Sequence, residues 1–425
     1  TLTSIMLIMF IVVIGGIVFS KQLLQVITPG LDAKTFELTL QITRIVLISP
    51  LFFSISAVTG AISNSLKRFT AFAITPIIYN LAIIIGTVFL TPHFGILGVA
   101  IGVVSGSFLH ALIQTWSALH AGFHPQFLLD WENKTFRTMI KSSIPRVLSL
   151  GMARINTVID TVLASLLITG SITIFNLAQN IQSLPMGVIG VSVAVASFPV
   201  FSDLVSQKRY YELHTFICEK VRKVVYVLLP VTCITILLRT EIIRFLFGSG
   251  KFNWTDTIIT ANTLGIFAIS FIAQSLVPMI TRLFYAHKNT TSPFFISLLS
   301  IGINVALSLI FIFIFHLEVI SLAISFTIAN IVQIILLLYY LHRNFQLKIF
   351  SKHDITFYTQ TIVATIICAI VAQIVKSISG LLLDPLDTFI KVMTKIALTT
   401  GISAIFYLSI QTIFKNPVNW LLNKK

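Results

Sequence analysis

VAIGVVSGSFLHALIQTWSALH (residues 99–120) and LAISFTIANIVQIILLLYYLHR (residues 322–343) are two stretches of one chain that match at an offset of 223, with Ala100 on Ala323 and Ile101 on Ile324. Each is long and apolar enough to cross a bilayer as a helix, which takes roughly 20 such residues. Two neighbours keep nearly the same spacing. The basic loop at Lys67 recurs at Lys288, an offset of 221, and Asn80 recurs as Asn304, an offset of 224. Three offsets that agree within three residues mark an internal repeat. An even number of spans separates the copies, so the halves are like-oriented, as in transporters built from parallel repeats.

Around this pair lie further apolar stretches, twelve in all, near 2–20, 41–63, 70–91, 95–119, 144–168, 174–202, 222–247, 257–283, 293–315, 318–341, 356–380 and 389–414. The composition agrees. Of 425 residues, 56% are hydrophobic and 10% charged, and the mean hydropathy is +0.97. A water-soluble chain averages about 25% charged residues, so a soluble enzyme or a nucleic-acid-binding domain is excluded. The fold class is an all-α polytopic membrane protein of about twelve transmembrane helices. Its three cysteines, Cys218, Cys233 and Cys368, are far apart and in apolar surroundings, which argues against a disulfide framework or a Cys-based zinc site.

The charge balance gives the orientation. With 29 Lys+Arg against 14 Asp+Glu the net charge is +15. Nineteen basic residues fall in loops on the side of the termini and nine on the opposite side. The positive-inside rule then places both termini in the cytoplasm. Residues 1–119 read as four helices of an N-terminal bundle, and 120–143 as an amphipathic linker helix on the cytoplasmic face. Residues 144–342 read as a six-helix C-terminal bundle, and 356–414 as two additional helices. If the second half opens near residue 144, the 223-residue offset opens the first about eighty residues before Thr1. Two further helices would fit there, making fourteen in an intact protein.

Polar residues inside spans carry the functional signal, because an ionisable group at the bilayer centre costs about 2.5–3.5 kcal/mol and normally faces a cavity or a partner. Asp160 lies deep in the fifth span, and Asn156, one turn earlier, shares its face. Asp160 is either a packing carboxylate held by its neighbours or a cation-coupling or substrate-facing group. Arg146 and Arg154, two turns apart on the same span, either snorkel to the interface or pair with an anionic phosphate. In the sixth span Asn176, Gln179, Asn180 and Ser183 form one helical stripe, with Gln182 beside it. The stripe is either interhelical glue or the wall of a hydrophilic cavity. Asn304 and Ser308 form an i, i+4 pair whose oxygens, with Asp160, would suit a monovalent cation; packing groups have the same signature. His110, mid-span, reads as a packed polar group. Prolines 50, 76, 185, 199, 230 and 278 should each bend their helix. There is no P-loop and no HExxH motif, so neither an ATP-driven engine nor an enzyme is expected.

Several segments look familiar: ITPGLDAKTFELTLQITRIVLISPLFFSISAVTGAISNSLKRFTAFAITPIIYNLAIIIG (27–86), PRVLSLGMARINTVIDTVLASLLITGSI (145–172), LPMGVIGVSVAVASFPVFSDL (184–204) and RLFYAHKNTTSPFFISLLSIGINVALSL (282–309). They resemble the MurJ/MviN family of the multidrug/oligosaccharidyl-lipid/polysaccharide exporter superfamily. The resemblance implies a fourteen-helix flippase in the bacterial cytoplasmic membrane. It would move the polyprenyl-pyrophosphate glycopeptide lipid II by alternating access, as a monomer, with helices 356–414 forming a groove for the lipid tail. No organic cofactor is implied, and membrane potential or a monovalent cation would drive the cycle.

The family's cavity arginines on its first two helices would fall before Thr1. Its sixth-span Ala-Asp-Arg element followed by Glu is here Ala178-Gln179-Asn180 followed by Ser183, so neutral amides and a hydroxyl replace charged headgroup contacts. Asn156, Asp160-Thr161 and Gly170-Ser171 fit the family. The alternatives are a polysaccharide-unit flippase, a drug/cation antiporter of the same superfamily, and a non-transporting membrane scaffold.

Overall fold

Apolar runs of this length satisfy their own backbone hydrogen bonds only as helices when water is absent. The computed structural model describes residues 2–66, 68–124, 137, 151, 154–250, 252–346, 352–383 and 389–414, and these are helices joined by short turns, with no strand among them. Eight described helices are long and apolar enough to cross a membrane, and three bent pairs bring the number to eleven. These eleven cover eleven of the expected stretches. The twelfth, 144–168, begins outside the described residues and is helical over 154–165. The expected linker helix at 120–143 also lies almost wholly outside them.

The chain divides into two compact units, Thr1–Leu166 and Leu167–Lys425. The first is built on small residues. Helix Ser49–Ser65 buries Ser49, Ser56, Thr59, Gly60 and Ser63, and helix Leu97–His120 buries mainly glycines, alanines and serines. These two helices run parallel in constant register. Ser56 shares a 2.6 Å hydrogen bond with His110, Gly60 faces the Gln114 amide, and Ser63 donates to Ser117 at 3.3 Å, each pair 54 residues apart. Gln114 also donates to Thr75 on helix Thr70–Ile85. His110 is therefore the packed polar group expected of it. On the other side of Leu97–His120 the backbones nearly touch: a Cβ on Gly86 would stand 2.6 Å from Gly102 Cα. Close approach through small residues is how helices associate in lipid, where apolar area alone supplies little drive.

The second unit is built on large residues. The largest fully buried side chains, including Phe175, Phe201, Phe267, Phe271, Phe284 and Met279, all belong to it. Phe267 meets Phe175 and Phe326 edge-on at 5.6 and 5.4 Å. Two last helices, Lys352–Leu383 and Phe389–Ile413, pair with each other. They join helix Tyr210–Leu237 where the Tyr407 hydroxyl donates to the Tyr226 carbonyl at 2.7 Å.

The breaks between paired helices lie away from the prolines. Among the described residues, bends above 40° fall at Phe19 (69°), Leu238 (73°) and Ser270 (45°), none of them proline. At each, side chains take over backbone groups or tie down the break, which is how a helix breaks without proline. Arg44 donates to the Ser20 hydroxyl, which itself donates to the Ile17 carbonyl. Arg239 donates to the Ile236 carbonyl, and the Ser270 hydroxyl to that of Phe267. Two prolines are instead absorbed locally. The Thr75 hydroxyl donates to the Phe72 carbonyl that Pro76 leaves without an amide, and Pro185 is followed by a widened π-helical stretch, Met186–Val191.

The repeat is visible as burial. Helix Leu97–His120 buries Gly98, Ala100, Gly102, Gly106, Ala111, Gln114 and Ala118. At an offset of 223, helix Glu318–Phe345 buries Ser321, Ala323, Ser325, Ala329, Ile334, Leu337 and Leu341. The Asn80–Asn304 match behaves differently. Asn80 is exposed and bonds to its own helix at Pro76, whereas Asn304 is buried.

Candidate substrate and coupling site

Helix 154–165 carries four residues singled out above, and its alternation of exposed and buried positions follows the helical period. Arg154 is exposed, Asn156 half-buried and Asp160 fully buried. One turn separates Asn156 from Asp160, which lets the Asn156 amide donate to the Asp160 carboxylate at 3.0 Å. Thr161 turns its hydroxyl back to the Thr157 carbonyl. Arg146 lies outside the described residues.

The amide-rich helix Ser171–Pro185 separates into two faces. Phe175 and Ala178 are sealed in the unit's core, and Gln182 is buried on that side. On the other side Asn176 and Gln179 are half-buried, and Asn180 and Ser183 exposed, with the Ser183 hydroxyl donating to the Asn180 carbonyl. The stripe read from spacing is thus an open polar face of this unit. Gln182, next to it in sequence, has another task. The Gln274 amide donates both to the Gln182 side-chain carbonyl at 3.1 Å and to the Ser270 hydroxyl at 2.6 Å, at the 45° bend. Sequence reasoning missed this network. Its one signal was that Gln182 falls off the 176-179-180-183 line. Nearby, Gly190 in the π-helical stretch lies against Ser275 so closely that a Cβ would stand 2.6 Å from its Cα.

Asn304 and Ser308 lie in the second unit, one turn apart on helix Thr291–Phe313 and both buried. They belong to an i, i+4 line of buried residues that includes Ser300, whose hydroxyl donates to the Ala329 carbonyl of the repeat helix. The Ser308 hydroxyl makes no hydrogen bond among the described residues. Ser321 and Ser325 are also buried, and each donates to its own helix. These are hard, neutral oxygen donors, a set suited to an alkali cation rather than a transition metal. No group of three or more His, Cys, Asp or Glu that would suit a metal ion occurs among the described residues. Cys218, Cys233 and Cys368 are not joined in disulfides.

Comparison with known proteins places this arrangement. Residues 1–397 match the family model described as lipid II flippase MurJ. A curated relative named "Probable lipid II flippase MurJ", from Rickettsia prowazekii (strain Madrid E), is 28% identical over 313 residues, which cover 73% of this chain and 61% of the relative. The chain spans about three fifths of the length of the first curated relatives it matches. Among solved structures, a lipid II flippase MurJ in an inward closed conformation superposes with a TM-score of 0.78 at 25% identity, covering 98% of this chain and 83% of that one. An inward-facing multidrug resistance MATE family transporter of the MOP superfamily shares the fold, with a TM-score of 0.68 at 15% identity over 81% of this chain and 80% of that one. Helices long enough to cross a membrane, a repeat in burial register and a family match over nearly the whole chain agree: this multi-pass membrane protein belongs to the MurJ family.

Proposed function

We propose that this protein moves lipid II, the lipid-linked peptidoglycan precursor, across the bacterial cytoplasmic membrane by alternating access. In this reading it acts as a monomer with both termini in the cytoplasm. The observation that carries the reading is the open amide face Asn176-Gln179-Asn180-Ser183 on a helix whose other face is packed with Phe175 and Ala178. Amides left to hydrocarbon at that depth would go unsatisfied at a cost of several kcal/mol each. They require water or a polar cargo, and a glycopeptide headgroup offers matching hydroxyls and amides. Arg154, exposed on its helix, supplies a cation of the geometry that grips phosphate oxygens, with Arg146 as its partner. The last two helices, 356–414, provide the groove for the polyprenyl tail.

Asp160 supplies coupling in this scheme. Its buried carboxylate responds to membrane potential, worth about 2.3 kcal/mol per charge per 100 mV, or takes a monovalent cation. No organic cofactor takes part. Two substitutions test the scheme in a strain depleted of its own lipid II flippase. Asp160→Asn should insert normally yet fail to support growth; full growth would remove Asp160 from the mechanism. Replacing Asn176, Gln179 and Asn180 together by leucine should leave membrane levels within about twofold while abolishing transport, since leucine is favourable in lipid. Unimpaired transport would show that the amide face does not meet the cargo.

A further inference from the structure

The bend at Leu238 gathers three charged side chains from three helices. Helix Tyr210–Leu237 turns 73° into the short elbow helix Arg239–Phe247, which carries Glu241, only 5% exposed. The Lys376 ammonium, from helix Lys352–Leu383, stands 3.1 Å from Glu241 Oε2. The Lys395 ammonium, from helix Phe389–Ile413 and itself 6% exposed, stands 3.4 Å from Glu241 Oε1. Lys376 also donates to the Leu237 carbonyl at 2.6 Å, satisfying the end of the broken helix, where the helix dipole favours a cation. Alongside, Phe245 of the elbow stacks on Phe389 with ring centroids 4.6 Å apart. Each oxygen of one carboxylate thus faces an ammonium from a different tail helix.

An exposed pair of this kind would contribute little. A buried one behaves differently, because removing one member strands the others' charge in a medium that cannot solvate it. The two lysines belong to two different helices, so their shared carboxylate removes the freedom of the tail pair to slide past the elbow. The lysines lie 19 residues apart in the chain, on two helices that pack against each other, and both meet at the elbow's carboxylate.

We propose that Glu241 is a positioning residue whose two ion pairs weld the elbow and the last two helices into one body, and that transport requires this weld. The second half of the proposal rests on the transport function inferred above; the first does not.

The test uses the whole chain in lipid nanodiscs, with the three native cysteines replaced by alanine and spin labels at exposed Leu246→Cys and Met393→Cys. The parent should give one narrow distance distribution, and Glu241→Gln one about twice as broad. The conservative variant Glu241→Asp, which keeps a carboxylate between the two lysines, should stay about as narrow as the parent. In vesicles, delivery of a lipid-linked substrate to the far leaflet should fall about a hundredfold in Glu241→Gln and stay near the parent in Glu241→Asp, the scale expected when a supporting contact misplaces a site by an ångström. Should Glu241→Gln fail to fold, the pair Glu241→Gln with Lys395→Met halves the stranded charge and carries the same expectation. An unchanged distribution overturns the weld, and unchanged transport despite broadening overturns its role. A parent that moves no lipid-linked substrate faults the transport function, and the distance distributions then judge the weld alone.

Discussion

The two units of this protein solve the same problem with opposite materials. In Thr1–Leu166 the helices meet through glycine, alanine, serine and threonine, with hydrogen bonds strung along the seam at Ser56–His110, Gln114–Thr75 and Ser63–Ser117. In Leu167–Lys425 the helices meet through phenylalanine, leucine, isoleucine and methionine interlocked around a buried core. The repeat localises the contrast: Gln114 and Ala118 in one half correspond to Leu337 and Leu341 in the other, while Ala100 and Gly106 correspond to the equally small Ala323 and Ala329. Close backbone approach leaves no room to add an atom, whereas a core of large side chains has no tolerance for losing several. The same repeated helix therefore supports either kind of seam, provided that each helix face stays matched to its partner.

The largest expected effect is in the second unit. Phe267→Ala removes a ring clasped edge-on by Phe175 and Phe326, and should cost about 3–5 kcal/mol in denaturant unfolding of the purified protein in detergent. A loss below about 1 kcal/mol would mean that this core repacks freely, and the contrast would collapse. Next comes the first unit's seam. Gly86→Ala should cost about 1–3 kcal/mol, since its Cβ would collide with the Gly102 backbone. Gly302→Ala is the internal control, because nothing lies within 4 Å of its Cβ. Relief of glycine's backbone entropy should there stabilise by about 0.5–1 kcal/mol, reversing the sign. Equal effects at the two glycines would deny that the seam is close-packed. The smallest effect belongs to the polar tie at the Ser270 bend. Gln274→Leu should cost about 0.6 kcal/mol and no more than about 1.7, the span measured for hydrogen bonds between helices in membranes. A larger loss would make that network, and not the phenylalanine core, the element holding the bend.

Several features of the candidate site were legible from spacing alone. Asn156 and Asp160 had to share a face at i, i+4, and they are hydrogen-bonded. The 176-179-180-183 line had to be one stripe, and it is one open face. Spacing set Gln182 beside that stripe but named no partner for it, since Gln274 lies 92 residues away. Proline content gave no sign of the breaks at Phe19, Leu238 and Ser270, where side chains hold the backbone groups at the break. Glu241 has no signature in the sequence. Nothing local distinguishes it, for its partners come from helices more than a hundred residues later.

Composition and periodicity by themselves determined that this chain is a bundle of membrane-crossing helices, where most of those helices lie, and that two stretches 223 residues apart are copies. These follow from local causes: lipid tolerates only self-bonded backbone, and a helix repeats its faces every few residues. Only the tertiary structure decided where helices break, which polar side chains are glue and which remain open, and that one carboxylate gathers two lysines. Each of these depends on which distant group arrives to share a bond, and in a low-dielectric interior an unshared polar group is too costly to persist.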